Sequence, residues 1–157
     1  MIVSLAEDRD LRIIECDDGE IYASALRPNA ERFLEWSGTV FDEVNMCTAG
    51  LAYFQTKITD AFGITDYFDN IYGRRDIAEA SYGSLTPAGM HPVLVDDLPV
   101  GSMGWVGKMQ AILSSDKDMD DIDVICENHY IKAKCYFGGF ADKELQKIKK
   151  RLKEFLR

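Results

Sequence analysis

Between Pro92 and Leu98 the chain carries Val93-Leu94-Val95, an apolar run that stops abruptly at Asp96-Asp97. A run this short and this apolar reads as a buried strand, and it leaves two carboxylates at its carboxyl end. Met1 to Leu5 is a second such run, followed at once by the charged Ala6-Glu7-Asp8-Arg9-Asp10. Leu11 to Glu15 and Glu20 to Leu26 each have strand character and flank Cys16-Asp17-Asp18-Gly19, whose Asp-Gly step is the turn chemistry of a β-hairpin. Pro28 then opens a helical pattern with Ala30, Phe33, Leu34 and Trp36 on one stripe, ended by Gly38. Phe41 to Cys47 reads as a strand that delivers Thr48-Ala49-Gly50 into a loop. The next helix carries Leu51, Phe54, Ile58, Ala61 and Phe62, with Gly63 at its end.

Tyr67, Phe68 and Tyr72 read as core aromatics, and Gly73-Arg74-Arg75-Asp76 reads as a turn into a less regular stretch. Lys108 to Leu113 reads as a short helix and Ile122 to Cys126 as a further strand. From Asp142 onward, Leu145, Ile148, Leu152 and Phe155 share one face of an amphipathic helix. Residues 141–157 hold seven Lys or Arg against three acids, which leaves −13 on residues 1–140. That basic helix is most simply a cover for the sheet, its lysines remaining in water. Strands alternating with helices imply an α/β fold with a largely parallel sheet, in which ligands meet the loops outside the carboxyl ends of the strands.

Composition narrows the function classes. At 157 residues and 46% hydrophobic content, one domain spanning 1–157 is expected, and disordered and collagen-like classes are excluded. A formal charge of −9 and a pI near 4.7 repel phosphate backbones and anionic headgroups, so neither a nucleic-acid partner nor a membrane is expected. Cys16, Cys47, Cys126 and Cys135 include no CxxC pair, and no stretch resembles a signal peptide, so reduced thiols in a cytoplasmic protein are expected. His91 and His129 lie in unrelated segments with no visible acid or nucleophile beside them, which argues against zinc and against histidine catalysis.

Four stretches, in order, carry a resemblance. Leu26-Arg27-Pro28-Asn29-Ala30-Glu31-Arg32-Phe33-Leu34 follows the hairpin; Val44-Asn45-Met46-Cys47-Thr48-Ala49-Gly50 ends a strand in a small-residue loop. Val93 to Pro99 joins a strand to an Asp pair, and Ile131 to Gly138 precedes Asp142-Lys143-Glu144-Leu145. This series resembles the haloacid dehalogenase-like superfamily, and within it the branch of small C-terminal-domain phosphatases and NIF-like proteins. There the corresponding motifs are Arg-Pro-Gly before a helix, Thr-Ala-Ser after a strand, an Asp pair or Asp-Asn before Ser-Pro, and a terminal strand with Phe-Gly and an Asp-x-Glu-Leu helix. The resemblance implies a Rossmann-like, mostly parallel sheet flanked by helices, with a hairpin insertion at about 11–26 and a closing helix at about 142–156.

It also implies a site. In that superfamily the first strand ends in Asp-x-Asp; the first carboxylate attacks phosphorus, the second is acid and base for the leaving group, and magnesium screens the charge. Here Ser4 stands at the nucleophile position and Ala6 at the acid/base position. A hydroxyl without a base or a metal is a feeble nucleophile, and loss of general acid-base help alone forfeits about 10²- to 10⁴-fold in rate. By the same resemblance Thr48 is the phosphate-contacting hydroxyl, and a strand-end Thr equally serves as a helix cap. Asp96, with Asp97 beside it, corresponds to the magnesium ligand, at a site weakened or lost without a carboxylate at position 4. Residues 73–107 contain no Lys for the family's phosphate-binding position, leaving Arg74 or Arg75 as substitutes. Asp17-Asp18-Gly19 imitates Asp-x-Asp-Gly but lacks the first carboxylate and is sufficiently explained as a hairpin turn. The expectation is a phosphatase-fold protein that has lost phosphoryl transfer and acts as a binding or regulatory module for a phosphorylated small molecule or protein. The alternative is an active magnesium-dependent phosphatase, using an unrecognised nucleophile or one replaced in this sequence.

Overall fold

The computed structural model describes residues 11–79, 92–97, 130–134 and 142–156. The expected strand at the N-terminus with Ser4 and Ala6, the readings at His91, His129, Cys126 and Cys135, the helix at 108–113 and the strand at 122–126 lie outside these residues. The described residues are mixed α/β and fall into two compact units.

The first unit comprises residues up to Gly73 together with 142–149. It opens with the hairpin read from the sequence: β1 (Leu11–Glu15) pairs antiparallel with β2 (Ile21–Ala25), Glu15 opposite Ile21. Cys16 N–H donates to Glu20 C=O at 2.8 Å and Gly19 N–H to Cys16 C=O at 2.9 Å, while Gly19 sits at φ 83°, a conformation open to glycine at little cost. The Glu20 N–H also donates to the Asp18 carboxylate at 3.0 Å. One face of the ribbon meets α2: Ile14 and Cys16 are buried, Tyr22 lies 4.8 Å from Phe54 between ring centroids, and the Arg12 guanidinium stands over Phe62. Ile13 and Ile21, on the other face, are 67% and 68% exposed.

Helix α1 (Ala30–Val40) begins after Asn29, which adopts the left-handed conformation at φ 66°. It runs two residues beyond Gly38, correcting the expected stop. Gly38 is accommodated inside the helix, and termination comes at Phe41, whose extended backbone donates its N–H to Ser37 C=O. The expected strand over Phe41 to Cys47 shortens to β3 (Asn45–Cys47). Phe41 caps the helix and turns its ring edge-on to Trp36, 5.9 Å away, so ladder pairing starts only where a partner strand is available.

That partner is β4 (Asn70–Tyr72), which no sequence pattern announced because three residues are too few to show alternation. It runs parallel to β3, with Asn45 opposite Asn70 and Cys47 opposite Tyr72. Between them lies α2 (Ala52–Ala61). Its end is a Schellman motif: Gly63, at φ 68°, donates to Asp60 C=O, and Ile64 donates to Thr59 C=O. A 3₁₀ turn, η1 (Thr65–Tyr67), then leads into β4. Tyr67, Phe68 and Tyr72, read as core, are half-buried. The most buried residue of α2 is Thr59, at 1% exposure, which the apolar stripe did not include, and Ala61 of that stripe is exposed. Its hydroxyl lies 2.7 Å from that of Thr65, which donates onward to Asp60, so the polar group is satisfied inside the helix-to-turn junction.

The second unit holds α3 (Arg74–Glu79), where an irregular turn had been expected; one and a half turns are too short to reveal a period. It also holds β5 (Leu94–Asp96) and β6 (Tyr130–Lys132), which pair in parallel with Asp96 opposite Lys132. Leu94, Tyr130, Ile131 and Ala133 are buried there. The closing helix α4 (Glu144–Phe155) forms as read, with Ile148 and Leu152 buried and Leu145 and Phe155 half-buried. Asp142 starts it by accepting the Glu144 N–H at 2.6 Å, and its other oxygen accepts Arg27 Nε at 2.8 Å. Among the described residues the strands make three separate two-stranded pairs. No helix among them is long and apolar enough to cross a membrane.

Ile148 is 2% exposed, so Ile148→Ala is expected to lower unfolding free energy in urea by about 2–5 kcal/mol. Lys150→Ala, on the exposed face of the same helix, is expected to change it by less than about 0.5 kcal/mol.

Candidate functional site

Thr48 follows the last residue of β3, and its N–H extends the parallel ladder by donating to Tyr72 C=O at 2.9 Å. Its Oγ1 accepts the Gly50 N–H at 3.1 Å, which folds Thr48-Ala49-Gly50 into a tight loop. The hydroxyl therefore shapes the loop rather than capping α2, whose N-cap, Leu51, has no side-chain cap. A threonine hydroxyl carries one donor hydrogen besides its acceptor pairs, and among the described residues that of Thr48 donates to nothing.

The loop is held from behind by a close approach the sequence reading missed. A Cβ built on Gly73 would lie 2.4 Å from the backbone nitrogen of Ala52, the first residue of α2. Only glycine lets the end of β4 lie this near the start of the helix. At the opposite end of the same strand pair, Val44 N–H donates to the Asp69 carboxylate at 2.7 Å while Asp69 N–H donates to Val44 C=O at 2.8 Å. Asn70 adds a side-chain bond to Asn45, fixing the register.

Arg74, Arg75, Asp96 and Asp97 belong to the second unit. Arg74 and Arg75 are exposed in the first turn of α3. Asp96 ends β5; its Oδ1 accepts the Asp97 N–H at 2.8 Å, and its carbonyl accepts the Ala133 N–H at 2.8 Å and the Tyr130 hydroxyl at 3.2 Å. Its parallel partner is Lys132, a neighbour that only the strand pairing reveals. Asp96 is the oxygen donor magnesium takes, but among the described residues no three His, Cys, Asp or Glu side chains gather as ligands.

The hairpin tip, the imitation of Asp-x-Asp-Gly, is occupied by its own interactions. Asp17 pairs with Lys57 of α2 and holds that ammonium above its ordinary range. Burial first, then the nearby Asp18, push the Cys16 thiol up, so it stays protonated at neutral pH. Cys16 is buried and Cys47 half-buried. The Tyr22 hydroxyl donates to Glu20, and this bond, reinforced by the Glu20 charge, pushes the phenol up to about 12. The tip is thus a turn with a clasp to α2, not a phosphoryl acceptor.

The chain matches no protein-family model and no curated protein sequence.

Two outcomes follow from this geometry. Gly73→Ala is expected to destabilise the chain by about 1–3 kcal/mol, because Ala52 backbone must move. Gly38→Ala, which meets nothing within 4 Å inside α1, is expected to stabilise it by about 0.5–1 kcal/mol in the same urea titration. Tyr22 ionises near 10 when unfolded and near 12 when folded, so the native state holds the extra proton between these values. Its contribution to stability is complete below pH 10 and lost as pH rises through 12. In an ultraviolet difference titration against Tyr22→Phe, the Tyr22 transition is expected near pH 12, and Glu20→Gln returns it towards 10.

Proposed function

We propose that this chain is a haloacid dehalogenase-like domain that has lost phosphoryl-transfer chemistry and works by binding a phosphorylated ligand. The observation that carries the reading is the pair Ser4 and Ala6, standing where the covalent mechanism needs two carboxylates. Without the first there is no acyl-phosphate to form, and without the second no group to protonate the leaving oxygen.

Several features support the fold on which this depends. Asn29, at the position of the branch's Arg-Pro-Gly glycine, is in the left-handed conformation that glycine takes most easily and asparagine tolerates better than most. Arg27 of that motif and Asp142 of the Asp-x-Glu-Leu motif form an ion pair at 2.8 Å. The Thr-Ala-Gly stretch lies at the carboxyl end of a parallel strand, before a helix, with a hydroxyl donor available to an anion. Asp96 likewise closes a parallel strand, as a ligand-facing acid would in such a sheet.

The test restores what is missing. The unmodified chain is expected to release no phosphate from an aryl phosphate with magnesium, whereas Ser4→Asp with Ala6→Asp is expected to gain magnesium-dependent turnover. Release by the unmodified chain that is lost on Asp96→Asn would instead support an active phosphatase with another nucleophile.

A further inference from the structure

Thr48 and Ala52 bound the loop that carries the Thr48 hydroxyl, and two consecutive residues at the end of β4 meet both of them. Tyr72 C=O accepts the Thr48 N–H at 2.9 Å. Gly73, the next residue, is buried against Ala52: a Cβ on it would stand 2.4 Å from the Ala52 backbone nitrogen and 3.1 Å from its Cα and Cβ. The span of the loop is therefore gauged by a single peptide unit, about 3.8 Å between successive Cα atoms. Between the two ends, Thr48 Oγ1 accepts the Gly50 N–H at 3.1 Å, so the hydroxyl is tied to the loop and moves with it.

A methyl group at position 73 has to open that contact from 2.4 Å to the 3.4 Å at which ordinary contact begins, and what stands in its way is helix backbone, not the tip of a flexible side chain. If the start of α2 gives way, the loop is stretched. If the end of β4 gives way, the Tyr72 carbonyl leaves the Thr48 N–H. In both cases the Thr48 hydroxyl is displaced, and a hydrogen bond to a charged acceptor weakens steeply once its distance and angle are lost. We propose that Gly73 is a positioning residue for the Thr48 hydroxyl, and that the lack of a side chain at position 73 sets the affinity of the domain for a phosphate group at Thr48. This rests on the phosphate-binding reading above and adds to it the residue that aims its hydroxyl donor.

Calorimetric titration of the full chain with inorganic phosphate, below the unfolding midpoint of every variant, tests it. Gly73→Ala is expected to weaken binding about tenfold or more. Ile148→Ala, expected to cost at least as much stability but placed in α4, is expected to bind phosphate as the parent does. Thr48→Val is expected to lose the affinity too, and Gly73→Ala added to it is expected to weaken binding no further, because both substitutions remove the same contact. In the amide nitrogen–proton spectrum of the parent, phosphate is expected to shift the Thr48 and Gly50 signals and to leave that of Gly19 in the hairpin turn, a readout that does not depend on Gly73→Ala folding. Equal affinity in the parent and Gly73→Ala, an equal loss in Ile148→Ala, or additive losses in the double variant overturn the positioning role while leaving phosphate binding intact. Phosphate that binds the parent without moving the Thr48 and Gly50 signals overturns it as well. A parent chain that binds no phosphate overturns the binding reading itself, and this inference with it.

Discussion

The first unit depends on the narrow gap between the end of β4 and the beginning of α2. Because Gly73 has no side chain, the strand reaches the helix at Ala52 without displacing it, and Tyr72 can offer its carbonyl to Thr48. The Thr48 loop is thereby fixed at both ends, by the ladder on one side and by the start of the helix on the other. Everything between has to bring the chain back to that point. Gly63 reverses it, Thr59 and Thr65 satisfy the reversal internally, and Asp69 clamps Val44 so that β4 enters in register.

The hairpin and the closing helix are attached to this frame by polar links laid over apolar contact. Tyr22 against Phe54 and Arg12 over Phe62 bring the ribbon to α2, while Asp17 with Lys57 orients its tip. Arg27 reaches Asp142, which is also the residue that starts α4, and Lys149 of α4 lies over the Trp36 ring. The Asp17–Lys57 pair, with Asp17 exposed, contributes little to stability in water, whereas Arg27 and Asp142 are largely buried. Their value here is positional: each joins segments far apart in the chain whose apolar residues alone would tolerate some slippage.

Where sequence patterns were long, they were legible. The hairpin needed only Asp-Gly between two strand-like runs, and α4 only Ile148 and Leu152 on one face. The Schellman glycine at 63 was visible for the same reason, as a glycine following a periodic stretch. What stayed hidden was set by pairing rather than by local preference. β4 is three residues whose role exists only because β3 lies beside them, and α3 is too short for a period. Gly38 and Gly73 look alike in sequence, yet one sits harmlessly within a helix and the other makes a close approach possible. Lys132 gained meaning from its partner across the ladder. Of the candidate site, Thr48 and Asp96 were readable as strand ends, while the use of the Thr48 hydroxyl to fold its own loop was not.

On the proposed reading, the chain binds a phosphorylated ligand without the acids that would turn binding into reaction. The most direct measurement of that claim is intact-mass spectrometry after incubation of the unmodified chain with a reactive phosphoryl donor and magnesium, followed by acid quenching. The account predicts an unchanged mass. A chain that gains one phosphoryl group, borne on a carboxylate and lost in neutral hydroxylamine, would contradict it.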